Sequence, residues 1–294
     1  MAMLTVIAPA FYADMTWTKD IAKWEIGKTL YLSVPFTWLL PAARSAALSH
    51  PGPVQAGGPA VQLMPNYLAD VAVINQPCPV EPLIFHNPFA TFTSRGCPNK
   101  CQFCAVPKLE GDLVEIQDWR PAPIICDNNF LATSRKHFNR VIDKLKFFPG
   151  VDFNQGLEAR LLKPHHARRL AELKKPKIRF AFDHLSEESE VFNAIQLCRQ
   201  HGINDFGVYV LIGFQDTPDE ALYRLGKVQE WGIRPNPMRY QPLDSLVKNE
   251  YIAPGWTDRQ LKDMMRYYSR LRFIEHIAYK DYRQPTMPLF DGEQ

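Results

Sequence analysis

Phe89-Ala90-Thr91-Phe92-Thr93-Ser94-Arg95-Gly96-Cys97-Pro98-Asn99-Lys100-Cys101-Gln102-Phe103-Cys104 is the stretch on which the fold turns. Phe89 to Arg95 is rich in aromatic and β-branched residues and predicts a strand, Gly96 predicts a turn, and the loop that follows carries a CxxxCxxC triad. Three thiolates so close in sequence can wrap one soft metal centre without help from the rest of the chain. They supply three ligands, whereas a structural zinc closes four positions, and His86 lies upstream across the predicted strand. The triad therefore reads as a centre with an open corner. An electron-carrier run would have two-residue gaps and a further cysteine followed by proline, and neither stands here. A zinc loop or a set of reactive thiols is the alternative the spacing leaves.

Around this loop the composition is that of an ordinary globular protein. Of 294 residues, 46% are hydrophobic and 22% charged, a length for one large domain or a domain and a half. Six unevenly spaced cysteines do not make a disulfide scaffold, and clustered thiols that must stay free to ligate a metal need a reducing compartment, so the cytoplasm is expected. Met1 to Tyr12 is apolar but has no basic segment ahead of it, and no secretory signal is expected. Thr29 to Leu48 is apolar as well, yet Pro35, Pro41 and Arg44 interrupt it, so it reads as core and not as a membrane span. A net charge of +3 selects no partner. Lys163, His165, His166, Arg168, Arg169, Lys174, Lys175, Lys177 and Arg179 form a basic stretch suited to a solvated helix face or to nucleic-acid phosphates.

Residues 1–85 alternate strand and helix patterns. Lys28–Val34, Val54–Ala56 and Asp70–Ile74 read as strands, Leu39–Leu48 and Ala60–Leu68 as helices, and the alternation predicts a small parallel α/β layer. Pro77, Pro79, Pro82 and Pro88 then mark a stiff connection. From 86 to 245 the rhythm is regular. Strand-like segments at Phe89–Arg95, Ala122–Cys126, Val151–Phe153, Ile178–Phe182, Phe206–Ile212 and Met238–Gln241 are separated mostly by helix patterns, among them one opened by Thr133 or Ser134 and one by Thr217-Pro218-Asp219-Glu220. Parallel strands joined in this way form a barrel or an open sheet, with polar chemistry at their carboxyl ends. Residues 246–294 read as a C-terminal helical extension, its helix opened by Thr257-Asp258-Arg259-Gln260 and reaching about His276, with an irregular tail after Tyr282.

The triad after a first strand, with the aromatic Phe103 just before its last cysteine, resembles the radical S-adenosylmethionine (radical SAM) superfamily. The resemblance implies a six-stranded partial (β/α) barrel of TIM type, preceded by the small α/β N-terminal subdomain. It implies that Cys97, Cys101 and Cys104 hold a [4Fe-4S] cluster and that SAM chelates the iron left without a cysteine. It implies an electron donor such as flavodoxin or ferredoxin, and reductive cleavage of SAM to a 5′-deoxyadenosyl radical that takes hydrogen from a substrate. Carried over by position, Phe103 lies near adenine, and Asp127, Asn128 and Asn129 replace the family's GGE contact to the SAM amino group. Glu158 and Arg160 end the third strand, where arginine suits a carboxylate. Asp183 resembles the ribose contact, Ile212 the apolar wall against adenine, and Arg239 and Tyr240 further cofactor or substrate contacts. Gly57-Gly58-Pro59 is similar to a turn of the cobalamin-binding domain found in some relatives, but the DxHxxG motif is absent, so no cobalamin is expected; beyond the triad only Cys78, Cys126 and Cys198 remain, each isolated in sequence, so one cluster is expected. A nucleic-acid base, a peptide and a small metabolite all remain candidate substrates, with the basic stretch leaning toward nucleic acid. The competing class is a non-catalytic module that binds zinc or an iron–sulfur centre.

Overall fold

The computed structural model of the protein describes residues 17–270 and 277–282. The predicted reach of the last helix to His276, the apolar start at Met1 to Tyr12 and the tail after Tyr282 fall wholly or partly outside the described residues. Among the described residues the chain builds a four-stranded and a six-stranded sheet, each with its own core, and a two-stranded ribbon. In the first, β1 (Ala22–Ile26) and β2 (Thr29–Ser33) form a hairpin that turns at Gly27, where φ is +63°. Helix α1 (Leu40–Ser49) leads to β3 (Val54–Gly57), and α2 (Pro59–Leu63) leads to β4 (Val73–Ile74). The order is β1-β2-β3-β4, with β2, β3 and β4 parallel. Leu30 and Leu32 on β2, Val54 and Ala56 on β3, and Ala43 and Ala47 one turn apart on α1 share one core.

Three expectations for this region change. The hairpin makes β1 antiparallel, so the layer is not wholly parallel; a Gly-Lys turn between alternating segments is the local signal for it. The helix expected over Ala60–Leu68 stops at Leu63 and resumes as a single 3-10 turn at Pro65–Tyr67, because Pro65 brings no N–H to continue the ladder. The strand expected over Asp70–Ile74 shrinks to β4.

Helix α3 (Leu83–His86) opens the second region. The strand expected over Phe89–Arg95 divides: β5 (Ala90–Thr91) joins the main sheet, whereas β6 (Ser94–Arg95) leaves it. The cause is Asp127, whose carboxylate accepts the Thr93 N–H at 2.6 Å and so removes that donor from any ladder. After α4 (Val106–Leu109), β7 (Val114–Glu115) pairs antiparallel with β6. Then come β8 (Ile124–Ile125), α5 (Arg135–Leu145), β9 (Val151–Phe153), α6 (Pro164–Leu170), β10 (Pro176–Ala181), α7 (Glu188–Gln200), β11 (Asp205–Ile212), α8 (Pro218–Glu230), β12 (Pro235–Arg239), α9 (Asp258–Arg270) and α10 (Tyr279–Tyr282). The main sheet has the order β5-β8-β9-β10-β11-β12, and its neighbours pair in parallel throughout. The last strand, expected over Met238–Gln241, instead runs as β12 from Pro235 to Arg239 and includes Pro235 and Pro237, which an edge strand tolerates.

The helices form where caps and apolar spacing coincide. Ser134 accepts the His137 N–H at the start of α5, whose Phe138, Val141, Ile142 and Leu145 recur on one face and are buried. Thr217 and Glu220 cap α8 reciprocally, with Pro218 in its first turn. Trp256, Leu261, Met264 and Tyr268 pack in the same core as the main sheet, so the C-terminal helix is part of its wall. Among the described residues no helix is long and apolar enough to cross a membrane.

Candidate functional site

The cysteine loop is held at its neck by two carboxylates. Asp127, 2% exposed at the end of β8, accepts hydrogen bonds from Thr93 N, Thr93 Oγ1 (2.5 Å) and Ser94 Oγ (2.7 Å). Burial pushes its carboxyl pKa up, and these donors oppose that push. Glu110, after α4, receives the Arg95 guanidinium at 2.5 Å, Gly96 N at 2.7 Å and Asn128 Nδ2 at 2.6 Å. Gly96 sits at φ +77°, and a Cβ there would stand 2.1 Å from the Asp112 carbonyl oxygen, so the turn admits glycine alone. Cys97 N then donates to the Gly111 carbonyl.

Beyond this neck the three thiols stand partly exposed. Asn99 N and Asn129 Nδ2 each donate to Cys97 Sγ at 3.4 Å, and Val106 N donates to Cys104 Sγ at 3.5 Å. Asn129 is itself 2% exposed, and its buried Oδ1 has no hydrogen-bond partner among the described residues. Burial raises the Cys101 pKa, and Cys104 and Cys97 raise it further; burial also raises that of Cys104, with Cys97 adding to it. The thiols thus feel one another. Among the described residues no group of three or more His, Cys, Asp or Glu side chains is gathered to hold a metal ion. The three sulfurs are soft donors of the type an iron–sulfur centre takes, and N–H donors to two of them are the kind of outer contact that tunes such a centre without ligating it.

The other anticipated residues divide into two groups. Phe103 meets the ring of Phe214 edge-on at 5.5 Å, Phe214 lies 4.7 Å from Tyr240, and Tyr240 meets Tyr251 at 5.3 Å, so an aromatic row runs from the loop to the end of β12. Glu158 accepts Asn99 Nδ2 at 2.7 Å and pairs with Arg160 at 2.7 Å, which ties the end of β9 to the loop. The hydrogen bond from Arg160 lowers the Glu158 pKa against its burial. Asp183, pushed up to about 6 by burial, accepts the Leu211 N–H at 2.9 Å. Asn128 is bound to Glu110 and Asn129 to Cys97. Three residues turn into the fold instead. Asp127 clasps the strand as described, Ile212 is 0% exposed in the main core, and Arg239 pairs with Asp258 at 2.9 Å and donates to the Tyr251 carbonyl.

Sequence reasoning passed over Glu110, Asn99, Phe214 and the buried Arg224. Arg224 of α8 donates to the carbonyls of Phe182 and Leu211 and pairs with Asp216, whose other oxygen accepts Gly213 N and Phe214 N. That clasp fixes the loop after β11 carrying Phe214. Its local signal was Gly213-Phe214-Gln215-Asp216 between a strand and a capped helix. The basic stretch is largely answered: Arg169 pairs with Asp143 and Glu172, Arg179 is buried against Asp152, and His166 is buried with its pKa lowered to about 4. Lys174 and Lys175 precede β10 and so lie at the amino edge of the sheet, opposite the cysteine loop.

A cleft of about 820 Å³ opens beside the site. Its wall includes Gly57 and Asn75, from the carboxyl ends of β3 and β4, and Cys126, Asn128 and Gln155, from those of β8 and β9. The carboxyl edges of both sheets therefore face one space. No protein-family model matches the chain, and no curated protein sequence matches it.

Proposed function

We propose that the protein is a radical SAM enzyme. The observation that carries this reading is the placement of the triad. Cys97, Cys101 and Cys104 share one loop at the carboxyl edge of a six-stranded parallel sheet, and neighbouring N–H groups donate to two of their sulfurs. Strand order in that sheet follows chain order without reversal after β5, which places successive helices on one face. A parallel sheet needs both faces covered, and one with helices on a single face covers the other by curling, so the reading includes a partial barrel.

In this reading Cys97, Cys101 and Cys104 hold a [4Fe-4S] cluster, which when bound supplies the electron that cleaves SAM to methionine and a 5′-deoxyadenosyl radical. The chain's own part is placement and exclusion. Asp127 and Glu110 fix the neck of the loop, and Asn99, Asn129 and Val106 orient the sulfurs. Phe103, Phe214 and Tyr240 form an apolar wall suited to adenine and to keeping water out. The carbonyl of Asn129, buried without a partner among the described residues, suits the SAM ammonium. Arg160 suits a carboxylate once released from Glu158.

Anaerobic reconstitution with iron and sulfide tests the proposal. About four irons per chain, a brown colour and 5′-deoxyadenosine on reduction with SAM are expected. A colourless protein with stoichiometric zinc and no SAM cleavage refutes it and leaves the metal-binding module.

A further inference from the structure

The cleft between the two sheets has the size of a small-molecule site, since such sites run from about 300 to 1,000 Å³ and this one measures about 820 Å³. Its chemistry is more informative than its size. Among the described residues of its wall the ionised side chains are answered by partners: Glu81 by Arg120 at 3.5 Å, and Arg95 and Glu110 by each other, with Glu110 also holding Gly96 N and Asn128. His86 shares a hydrogen bond with Ser33 Oγ at 2.9 Å, and burial lowers its pKa, so it stands neutral. A charged ligand entering here would give up water without gaining a counter-charge, and that is costly.

What the wall offers instead is rings and amides. Trp24, Tyr31, Phe36 and Phe92 border the space. Trp24 stacks on Tyr31 and on Phe85, at 5.7 and 4.2 Å between centroids, and its buried Nε1 has no hydrogen-bond partner among the described residues. Phe36 is 50% exposed and stacks on Trp38 at 4.5 Å, an apolar surface at the cleft that solvent alone does not favour. The amides of Gln62, Asn75 and Gln155 supply neutral donors and acceptors. The phosphates of a nucleic acid would find no excess of cations among the described residues of this wall, and the basic stretch belongs to other parts of the fold.

We propose that this cleft is the substrate chamber, and that its substrate is an uncharged, ring-bearing small molecule. As a statement about substrate it rests on the radical SAM reading; as a binding site it stands on the cleft itself. Gly57 gives a direct handle. It borders the cleft, a Cβ there would meet nothing within 4 Å among the described residues, and its φ is not in the left-handed region, so Gly57→Phe puts a ring into the space without backbone strain. Gln62→Trp, at an exposed position of the wall, is the second variant and guards against a folding failure of the first.

The probes are 1-naphthaleneacetamide, 1-naphthaleneacetate and 1-naphthylmethylammonium, one ring system in neutral, anionic and cationic form. Saturation-transfer NMR titrations on the full chain follow their binding, with thermal unfolding of each variant alongside. The amide is expected to bind at about millimolar, each ion about tenfold or more weakly, and the amide to lose about tenfold in folded Gly57→Phe or Gln62→Trp. Ions binding as tightly as the amide, no amide binding at about 10 mM, unchanged amide binding in both folded variants, or stoichiometric uptake of hydroxocobalamin in competition with the amide each overturns the proposal. Iron content and SAM cleavage of the unaltered protein report on the radical SAM reading separately.

Discussion

Asn129 shows how much of the site depends on single side chains. Its Nδ2 donates to Cys97 Sγ at 3.4 Å from a position 2% exposed to solvent. A hydrogen bond to a cluster sulfur stabilises the reduced, more negative state, so removing it lowers the potential. Asn129→Leu keeps the approximate volume and removes the donor. With about 0.5–1.5 kcal/mol for such a bond, the midpoint of the reconstituted centre should fall by roughly 20–60 mV in a spectroscopic redox titration. An unchanged midpoint at full iron content would show that the contact carries no electronic weight. The cysteines divide as sharply. Cys97→Ala, Cys101→Ala and Cys104→Ala should each lose most of the iron, because two corners are then left open. Cys126→Ala should retain it. Cys126 is 2% exposed and packs with Ala90 and Ile124, and burial pushes its thiol up to about 12, so it behaves as a small core hydrophobe. Loss of iron from Cys126→Ala would place it among the ligands.

Helix α8 acts as an element on the loop before it. Arg224 reaches from the helix to the carbonyls of Phe182 and Leu211 and to Asp216, and so joins the ends of β10 and β11 to the turn that presents Phe214. Arg224→Leu leaves a buried carboxylate and two carbonyls without their donor. A loss of about 3–5 kcal/mol in denaturant-induced unfolding is expected, with part of it recovered by a second change, Asp216→Asn. A loss under about 1 kcal/mol would mean that water replaces the guanidinium. Elements of this kind were legible in the sequence where their causes are local. Thr217, Pro218 and Glu220 announce α8, and Val151–Phe153 names its strand to the residue. They were illegible where the cause lies far along the chain. The split between β5 and β6 depends on Asp127, which is 34 positions from Thr93. Side-chain direction was illegible as well. Arg239 and Tyr240 are adjacent and project oppositely, and the sequence proposed both for the site; only the partners Asp258 and Phe214 decide which one faces it.

The whole molecule sets two titrating groups against each other in one pH window. His166 is buried in α6, accepts the Lys163 N–H on Nδ1, and has its pKa lowered to about 4 by burial and then by the neighbouring His165. Unfolded, it titrates near 6.5, so the unfolded chain binds more protons between those values and the fold loses stability as pH falls from about 6.5 to 4. Asp183 does the reverse. Its pKa is raised to about 6, first by burial, from an ordinary value of 3.8, so the folded chain takes up the proton first and gains stability as pH falls from about 6 to 4. Each contribution is about 1–3 kcal/mol and the two oppose, so the unaltered chain should change little over this range from these groups alone. Single substitutions should expose them. His166→Gln leaves the Asp183 contribution unopposed, so urea stability of the metal-free chain should rise between pH 6.5 and 4 relative to the unaltered protein. Asp183→Asn leaves that of His166, and stability should fall over the same range. Parallel pH profiles for all three proteins would mean that neither group differs in proton affinity between the folded and unfolded states, and that acid sensitivity lies elsewhere in the chain.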